Sequence, residues 1–400
     1  MPNGKPLIYL VAPAGHPNFG DEYIVAAWLR ELAHRRPHAR VVLDCHTPGV
    51  AAVLHQTAHP GLTVTDTLWR LADHAEDAEQ AHETIRDPGR FPNLVSGLLL
   101  ADRADLIQVL GGGWLNDHWP QHEKVLAAAA GLGGPAVRRV ATGQGLSPAA
   151  QVAGPLARWW GHFEWVGVRD EPSLDILPTA TLSPDDAWLA APDTPSRPGL
   201  GRGTPQARDR EFLVSAQSDL LGVSVDALAG WLVDALHALG ATGPRLAFVE
   251  CIPRADALVW ERMRALDPDL CSGALFVPFH ELWAHGLPAR SGQTWLSTRY
   301  HPHLIAAARG ARGVAVVAHA GDYYSVKHAA VGSDWPVVRI DESWGVPTPG
   351  AGFDGEQVRR RQAQAQEIAD LLYPAPRAVR AVRSTPERIR PVLRRVLRRG

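Results

Sequence analysis

Short apolar runs alternate with longer amphipathic stretches along the first half of the chain. Pro6–Val11 is almost wholly apolar and predicts a strand buried on both faces. Asp21–His34 places Ile24, Ala27, Trp28 and Leu32 at helical spacing. Arg40–Asp44, Leu62–Thr65, Ala104–Leu110, Val137–Ala141 and Glu164–Val168 read as further strands. This alternation predicts an α/β domain with a doubly wound parallel sheet over residues 1–190.

Residues 191–210 are rich in proline and glycine and read as a linker. A second series follows over 211–345. Glu211–Ala216, Leu246–Cys251, Leu275–Pro278, Thr294–Ser297, Val314–Ala318 and Val337–Ile340 read as strands. Val225–Leu239 and Asp256–Leu266 read as helices. The segment 346–373 holds a long helix at Gly355–Leu372, and 374–400 is a basic tail interrupted by proline. Two Rossmann-like domains facing across a cleft, with a C-terminal helix packing back, is the GT-B layout. In such sheets ligands sit beyond the C-terminal strand ends, which makes the cleft the expected site.

Charge sharpens this picture in two places. The formal net charge is -2, so no overall field points to nucleic acid. Residues 377–400 carry nine arginines and one acid, Glu387. That tail is expected either to lie on anionic lipid or to stay solvated. Lysine occurs only at positions 5, 124 and 327, so Lys327 stands out beside any site. The three cysteines are widely spaced with no metal-ligand pattern, and no apolar stretch is long enough to span a bilayer. A reducing cytoplasm is the expected compartment, and neither metal nor cofactor is expected.

Four segments carry candidate chemistry. Asn18-Phe19-Gly20-Asp21-Glu22 follows the first strand and opens a helix. Its two acids either complement the helix dipole or serve a sugar hydroxyl as ligand or base. Gly111-Gly112-Gly113-Trp114, with Asp117 beyond it, and Gly143-Gln144-Gly145 follow later strands, where glycine lets backbone approach a ligand. Trp114 and Trp119 offer a flat face to a sugar or belong to the core. Arg169 ends the next strand and suits a carboxylate or phosphate. Arg299 and His301 would share one face if the strand continued through them. There they would join a fixed cation to a proton donor. Lys327 adds a compact charge for a phosphate oxygen.

In this order the segments resemble the polysaccharide pyruvyl transferase family. Asn18–Glu22, Gly111–Asp117, Gly143–Gly145, Val168-Arg169-Asp170, Arg299–His301 and Tyr324–Lys327 carry the resemblance, with Ser183–Asp186 matching loosely. Ser147 stands where the family usually has glycine. The acid often found just before the lysine element is displaced to Asp322, and the glycines lead into Trp114. The resemblance implies transfer of the enolpyruvyl group of phosphoenolpyruvate to two sugar hydroxyls, giving a ketal and phosphate.

It further implies Arg169, Arg299 and Lys327 as donor cations, with Gly143, Gln144 and Gly145 beside them. His301 would be the acid and Asp21 or Glu22 the base. Asn18, Gly20, Gly112, Gly113, Trp114 and Asp117 would form the acceptor side, in the first domain. The acceptor would be a sugar, an oligosaccharide or a lipid-linked glycan. A glycosyltransferase using a nucleotide sugar, with Asp341 or Glu342 on the ribose, is the rival enzyme. A non-catalytic glycan-assembly protein is the rival of another class.

Overall fold

The computed structural model describes residues 5–134, 136–192, 198–342, 345 and 347–374. The basic tail therefore lies outside the described residues. The first sheet holds β1 (Leu7–Ala12), β2 (Arg40–Cys45), β3 (Leu62–Thr65), β4 (Leu106–Val109), β5 (Arg138–Gln144), β6 (Trp165–Val168) and β7 (Thr181–Leu182). Its order is β3-β2-β1-β4-β5-β6-β7. The second sheet holds β8 (Phe212–Ser215), β9 (Leu246–Val249), β10 (Leu275–Val277), β11 (Thr294–Ser297), β12 (Arg312–Val317) and β13 (Val337–Arg339). Its order is β10-β9-β8-β11-β12-β13. The strand pairs are parallel, as the buried apolar runs require.

Both sheets reverse their winding beside the first strand, between β1 and β4 and between β8 and β11. Loops diverge there, and a crevice opens at the C-terminal strand ends. The two crevices face each other. The expected arrangement of two facing parallel sheets is therefore present.

One apolar cluster runs through both halves. It joins Phe19 and Trp28 of the first half to Trp283 and Trp295 of the second, with Tyr373 from the chain's last described turn. The helix Gly355–Leu372 starts at a capping box, where Asp354 and Gln357 satisfy each other's backbone amides. It packs back on the first half, as expected. Arg35 pairs with Asp370 and donates to Gln366 at 2.7 Å, and the Tyr373 hydroxyl donates to Gln108 at 2.6 Å. The described ends of the segment read as a linker are packed: Leu200 and Ala207 are buried, and Arg309 donates to the Ala191 carbonyl at 3.0 Å.

Candidate functional site

A cavity of about 500 Å³ lies between the two crevices. Segments after β1, β2, β3 and β4 form one wall, and segments after β8, β9, β11 and β12 form the other. Of the residues singled out in the sequence, Asn18, Gly20, Asp21, Gly113, Trp114, Arg299, His301 and Lys327 line it.

The first turn of the Phe19–Arg35 helix sets the geometry on one side. Asn18 caps this helix, accepting from the Gly20 amide at 3.2 Å, and its side-chain nitrogen donates to Asp21 at 2.8 Å. Gly20 is helical rather than a turn residue. Its role is space: a Cβ there would overlap the His301 ring at Nδ1. Burial raises the Asp21 carboxyl above its ordinary value, while His301 and Lys327 pull the other way. Glu22, the alternative base, faces away. It accepts from the Gly15 amide at 2.7 Å and lies 2.8 Å from His55 Nε2, fully buried. Glu22 is thus spent on structure, and Asp21 is the acid of this pair that reaches the cavity.

The Arg299-Tyr300-His301 segment corrects a second expectation. β11 stops at Ser297, and Tyr300 opens a helix, Tyr300–Ala308. Pro302 in its first turn costs no helical bond. Arg299 and His301 therefore do not share a strand face. Arg299 turns to Asp256, with Nε 3.2 Å from Oδ2, and to Asp219 at 3.0 Å. These carboxylates hold the guanidinium charged although burial opposes it. Two acids already neutralise Arg299, so it contributes less to anion binding than the sequence implies. His301 turns the other way, with Nε2 3.6 Å from Asp185 Oδ1.

Arg169 lies under the cavity rather than on its surface. Its Nη1 donates to Asp185 at 3.0 Å, and its guanidinium stacks 4.3 Å from the Tyr300 ring centre. A Cβ on Gly145 would stand 2.6 Å from its Nε. A Cβ on Gly113 would stand 3.3 Å from its Nη2 and 3.7 Å from Lys327 Nζ. These glycines clear the path of the two cations. Gly112 and Gly143 instead hold positive φ in the turns beside them. Gln144 is a strut, its amide nitrogen bonding the Val109, Leu110 and Thr142 carbonyls. Asp117 caps the Gln151 and Val152 amides, outside the cavity lining.

Lys327 is held differently from both arginines. Its ammonium sits 5.1 Å from the centres of both the Tyr323 and Tyr324 rings and 5.7 Å from that of Tyr300. Among the described residues no carboxylate forms an ion pair with it. Burial lowers its pKa. A buried lysine that faces a cavity without an ion-pair partner suits an anion.

The polysaccharide pyruvyl transferase family model matches residues 18–250, more than half of the chain. The chain belongs to this family. No curated protein matches it. Among solved structures, it is similar to a putative UDP-N-acetylglucosamine 2-epimerase from Listeria monocytogenes, at 10% identity over 93% of this chain and 92% of that one, TM-score 0.49. It is also similar to the E. coli ADP-heptose LPS heptosyltransferase II, at 13% identity over 91% and 98%, TM-score 0.40. Similarity this remote assigns neither substrate nor reaction.

The family match spans Asn18 and Asp21 and ends before His301 and Lys327, which line the same cavity. Membership in a pyruvyl transferase family directs attention to one residue that sequence reading passed over. Asp185, with its side chain 2% exposed, touches Arg169 and His301 together. Although burial opposes ionisation, His301, Arg169 and the Ala187 amide hold its carboxyl well below the usual range. The signal was the loose match at Ser183–Asp186. Cys251 also lines the cleft, but burial pushes its thiol up to about 12, which leaves it unreactive. The acids suggested for a nucleotide ribose are engaged elsewhere: Asp341 and Glu342 each lie 2.9 Å from Arg339.

Proposed function

We propose that this protein transfers the enolpyruvyl group of phosphoenolpyruvate to two hydroxyls of one sugar, releasing phosphate and leaving a pyruvate ketal. The observation that carries this reading is the convergence of Lys327, His301 and Asp21 on one cavity, with Arg169 beneath it behind Gly113. The donor brings a carboxylate and a phosphate close together. Lys327 supplies the matching charge at the cavity surface, and Arg169, itself matched by Asp170 and Asp185, adds less from beneath it, while Asp185 braces Arg169 and His301.

In this mechanism His301 gives a proton to the methylene carbon, and C2 becomes electrophilic. The first sugar hydroxyl attacks C2 and yields its proton to Asp21. The C2–O bond to phosphate then breaks, and phosphate leaves with the proton held by Asp21. The second hydroxyl attacks C2, and its proton restores His301. One hydroxyl proton ends on the new methyl group and the other on phosphate. The first half serves the acceptor and the second half, with Arg169, serves the donor.

Calorimetric titration of phosphoenolpyruvate against a panel of nucleotide sugars tests the reading. Saturable phosphoenolpyruvate binding that disappears in Lys327→Ala is the expected result. Binding of a nucleotide sugar without phosphoenolpyruvate would replace pyruvyl transfer by glycosyl transfer.

A further inference from the structure

A second cavity, open and about 660 Å³ in volume, lies at the far end of the first sheet from the cleft. It gathers Arg139 from the start of β5, Asp102 from the turn before β4, and His82, Arg86 and His162 from the segments around them. β5 runs from Arg138 to Gln144, and its other end leads to Gly145 against Arg169, beneath the cleft. Arg139 therefore stands roughly 17 Å from that end at the usual rise of a strand. The two cavities share no lining residue, so a ligand in one does not overlap a ligand in the other.

The charge of this lining is mainly positive. Arg139 Nη2 donates to the Leu132 carbonyl and, at 3.0 Å, to the Gly133 carbonyl, which fixes the guanidinium. Its Nε is buried without a hydrogen-bond partner, a donor that a ligand oxygen would satisfy. Arg86 is exposed. Among the described residues no carboxylate forms an ion pair with Arg86 or Arg139, whereas the nearby Arg138 and Arg158 pair with Glu164 and Glu79, both at 2.6 Å. Asp102 is the one acid in the lining, and it accepts from the Gly133 amide at 2.7 Å.

Two imidazoles add to this. The His82 and His162 rings lie 5.2 Å apart, ring centre to ring centre, and both rest on Trp159. His82 Nδ1 donates to the Ala127 carbonyl at 3.1 Å, which leaves Nε2 for a ligand. Burial lowers the His162 pKa, and the positive groups of His82, Arg139, Arg158 and Arg86 lower it further. An anion among them would relieve that repulsion. The rest of the lining includes Ile85, Pro88, Leu99 and Ala130, and Leu99 is 46% exposed.

We propose that this cavity binds a phosphate monoester, with the dianion on Arg86 and Arg139 and the adjoining carbons on Leu99, Ile85 and Pro88. Two arginines without ion-pair partners match a dianion, and each guanidinium fork can take two phosphate oxygens. A carboxylate offers half that charge. The ester is either a soluble molecule or the headgroup of a lipid, since both present the same group. This site does not depend on the pyruvyl-transfer reading.

The test uses the full chain carrying Lys327→Ala, which removes the cation at the cleft surface, so that binding reports the second cavity. The probes are hexyl phosphate, inorganic phosphate and hexanoate, followed by calorimetry. Hexyl phosphate should bind saturably and more tightly than either of the others. Adding Arg86→Ala should weaken it by about tenfold or more, and Arg139→Gln should do the same. Urea unfolding shows that each variant folds, and Arg86, being exposed, keeps the test valid if Arg139→Gln does not. In an otherwise wild-type chain, Arg86→Ala should leave phosphoenolpyruvate affinity unchanged. Absence of saturable hexyl phosphate binding, equal or tighter binding of inorganic phosphate or hexanoate, or unchanged affinity in a folded Arg86→Ala would each overturn the proposal. Sedimentation with phosphatidylcholine vesicles, with and without phosphatidic acid, then assigns the source. The basic tail is present in every variant, so its contribution is constant. Vesicle binding that falls with Arg86→Ala supports a lipid headgroup. Unchanged vesicle binding beside weakened hexyl phosphate binding supports a soluble ester.

Discussion

β1 and β8 open sheets of the same strand order, and the loops leaving their switch points face one cavity. The loops from the first half bring rings and a half-buried acid, Asp21. Those from the second half bring a lysine in a cage of tyrosines, an arginine matched by two acids, and His301. The same backbone solution therefore supports two chemistries, and the division lies in side chains a few residues past each strand end. Charge in this cleft is also less simple than a count of cations implies. Arg299 and Arg169 each lie against two carboxylates, while Lys327 is held by aromatic faces.

The strongest way to break this division is to remove the cation that no ion pair holds. Lys327→Ala should lower kcat/KM for phosphoenolpyruvate by about a thousandfold, while Arg299→Gln should cost more in stability than in donor affinity. Steady-state kinetics beside urea unfolding of both variants separates the two. Next, His301→Asn should lower kcat by about a hundredfold or more with a smaller change in donor KM. A comparable drop in affinity would make His301 a binding group and not an acid.

Gly20→Ala reaches the same ring from the first half. Its methyl would displace His301, so kcat should fall about tenfold or more while the melting temperature moves little. Asp21→Asn and Glu22→Gln sharpen the contrast between adjacent acids. The first should remove most activity. The second should keep activity within a few-fold and cost stability, because a buried partner of His55 is lost.

The smallest effect concerns pH. Beneath the lysine, His303 Nδ1 lies 3.1 Å from His328 Nδ1, and His319 stacks on Tyr324. Burial lowers all three, His328 to about 4 and His319 to about 3. The unfolded rings take a proton near pH 6.5, so the unfolded chain binds more protons below that value. Native stability should therefore fall as pH drops from about 6.5 toward about 4, by roughly 2 kcal/mol or more for His328. Urea unfolding at stepped pH reads it, and His328→Gln should flatten the slope.

The strands and long helices were legible because apolar period and turn residues report them directly. Leu62–Thr65, Thr294–Ser297 and Gly355–Leu372 fall at the boundaries the pattern predicts. The site was legible as a set of segments but not as a set of roles. Nothing local says that Glu22 turns inward to His55 while Asp21 turns outward, or that Gly20 exists for a ring 281 positions away. Arg299 looked free because its partners, Asp219 and Asp256, lie 80 and 43 positions away. The rings on the first half's side of the cleft were half visible, since Trp114 and Trp119 stand beside the glycine run. Trp69 and His46 join them only through the fold.

The returning helix gives the chain a timetable. During synthesis the first sheet is complete long before residue 355 leaves the ribosome, yet Trp28, Arg35 and Gln108 wait for partners between 366 and 373. The first half must therefore persist with an open seam while the second half is made. A chain ended at 354 should keep both sheets but expose that seam, and it should be cut by protease far faster than the full protein. Equal resistance would mean that the last helix is an ornament and not the closing stitch.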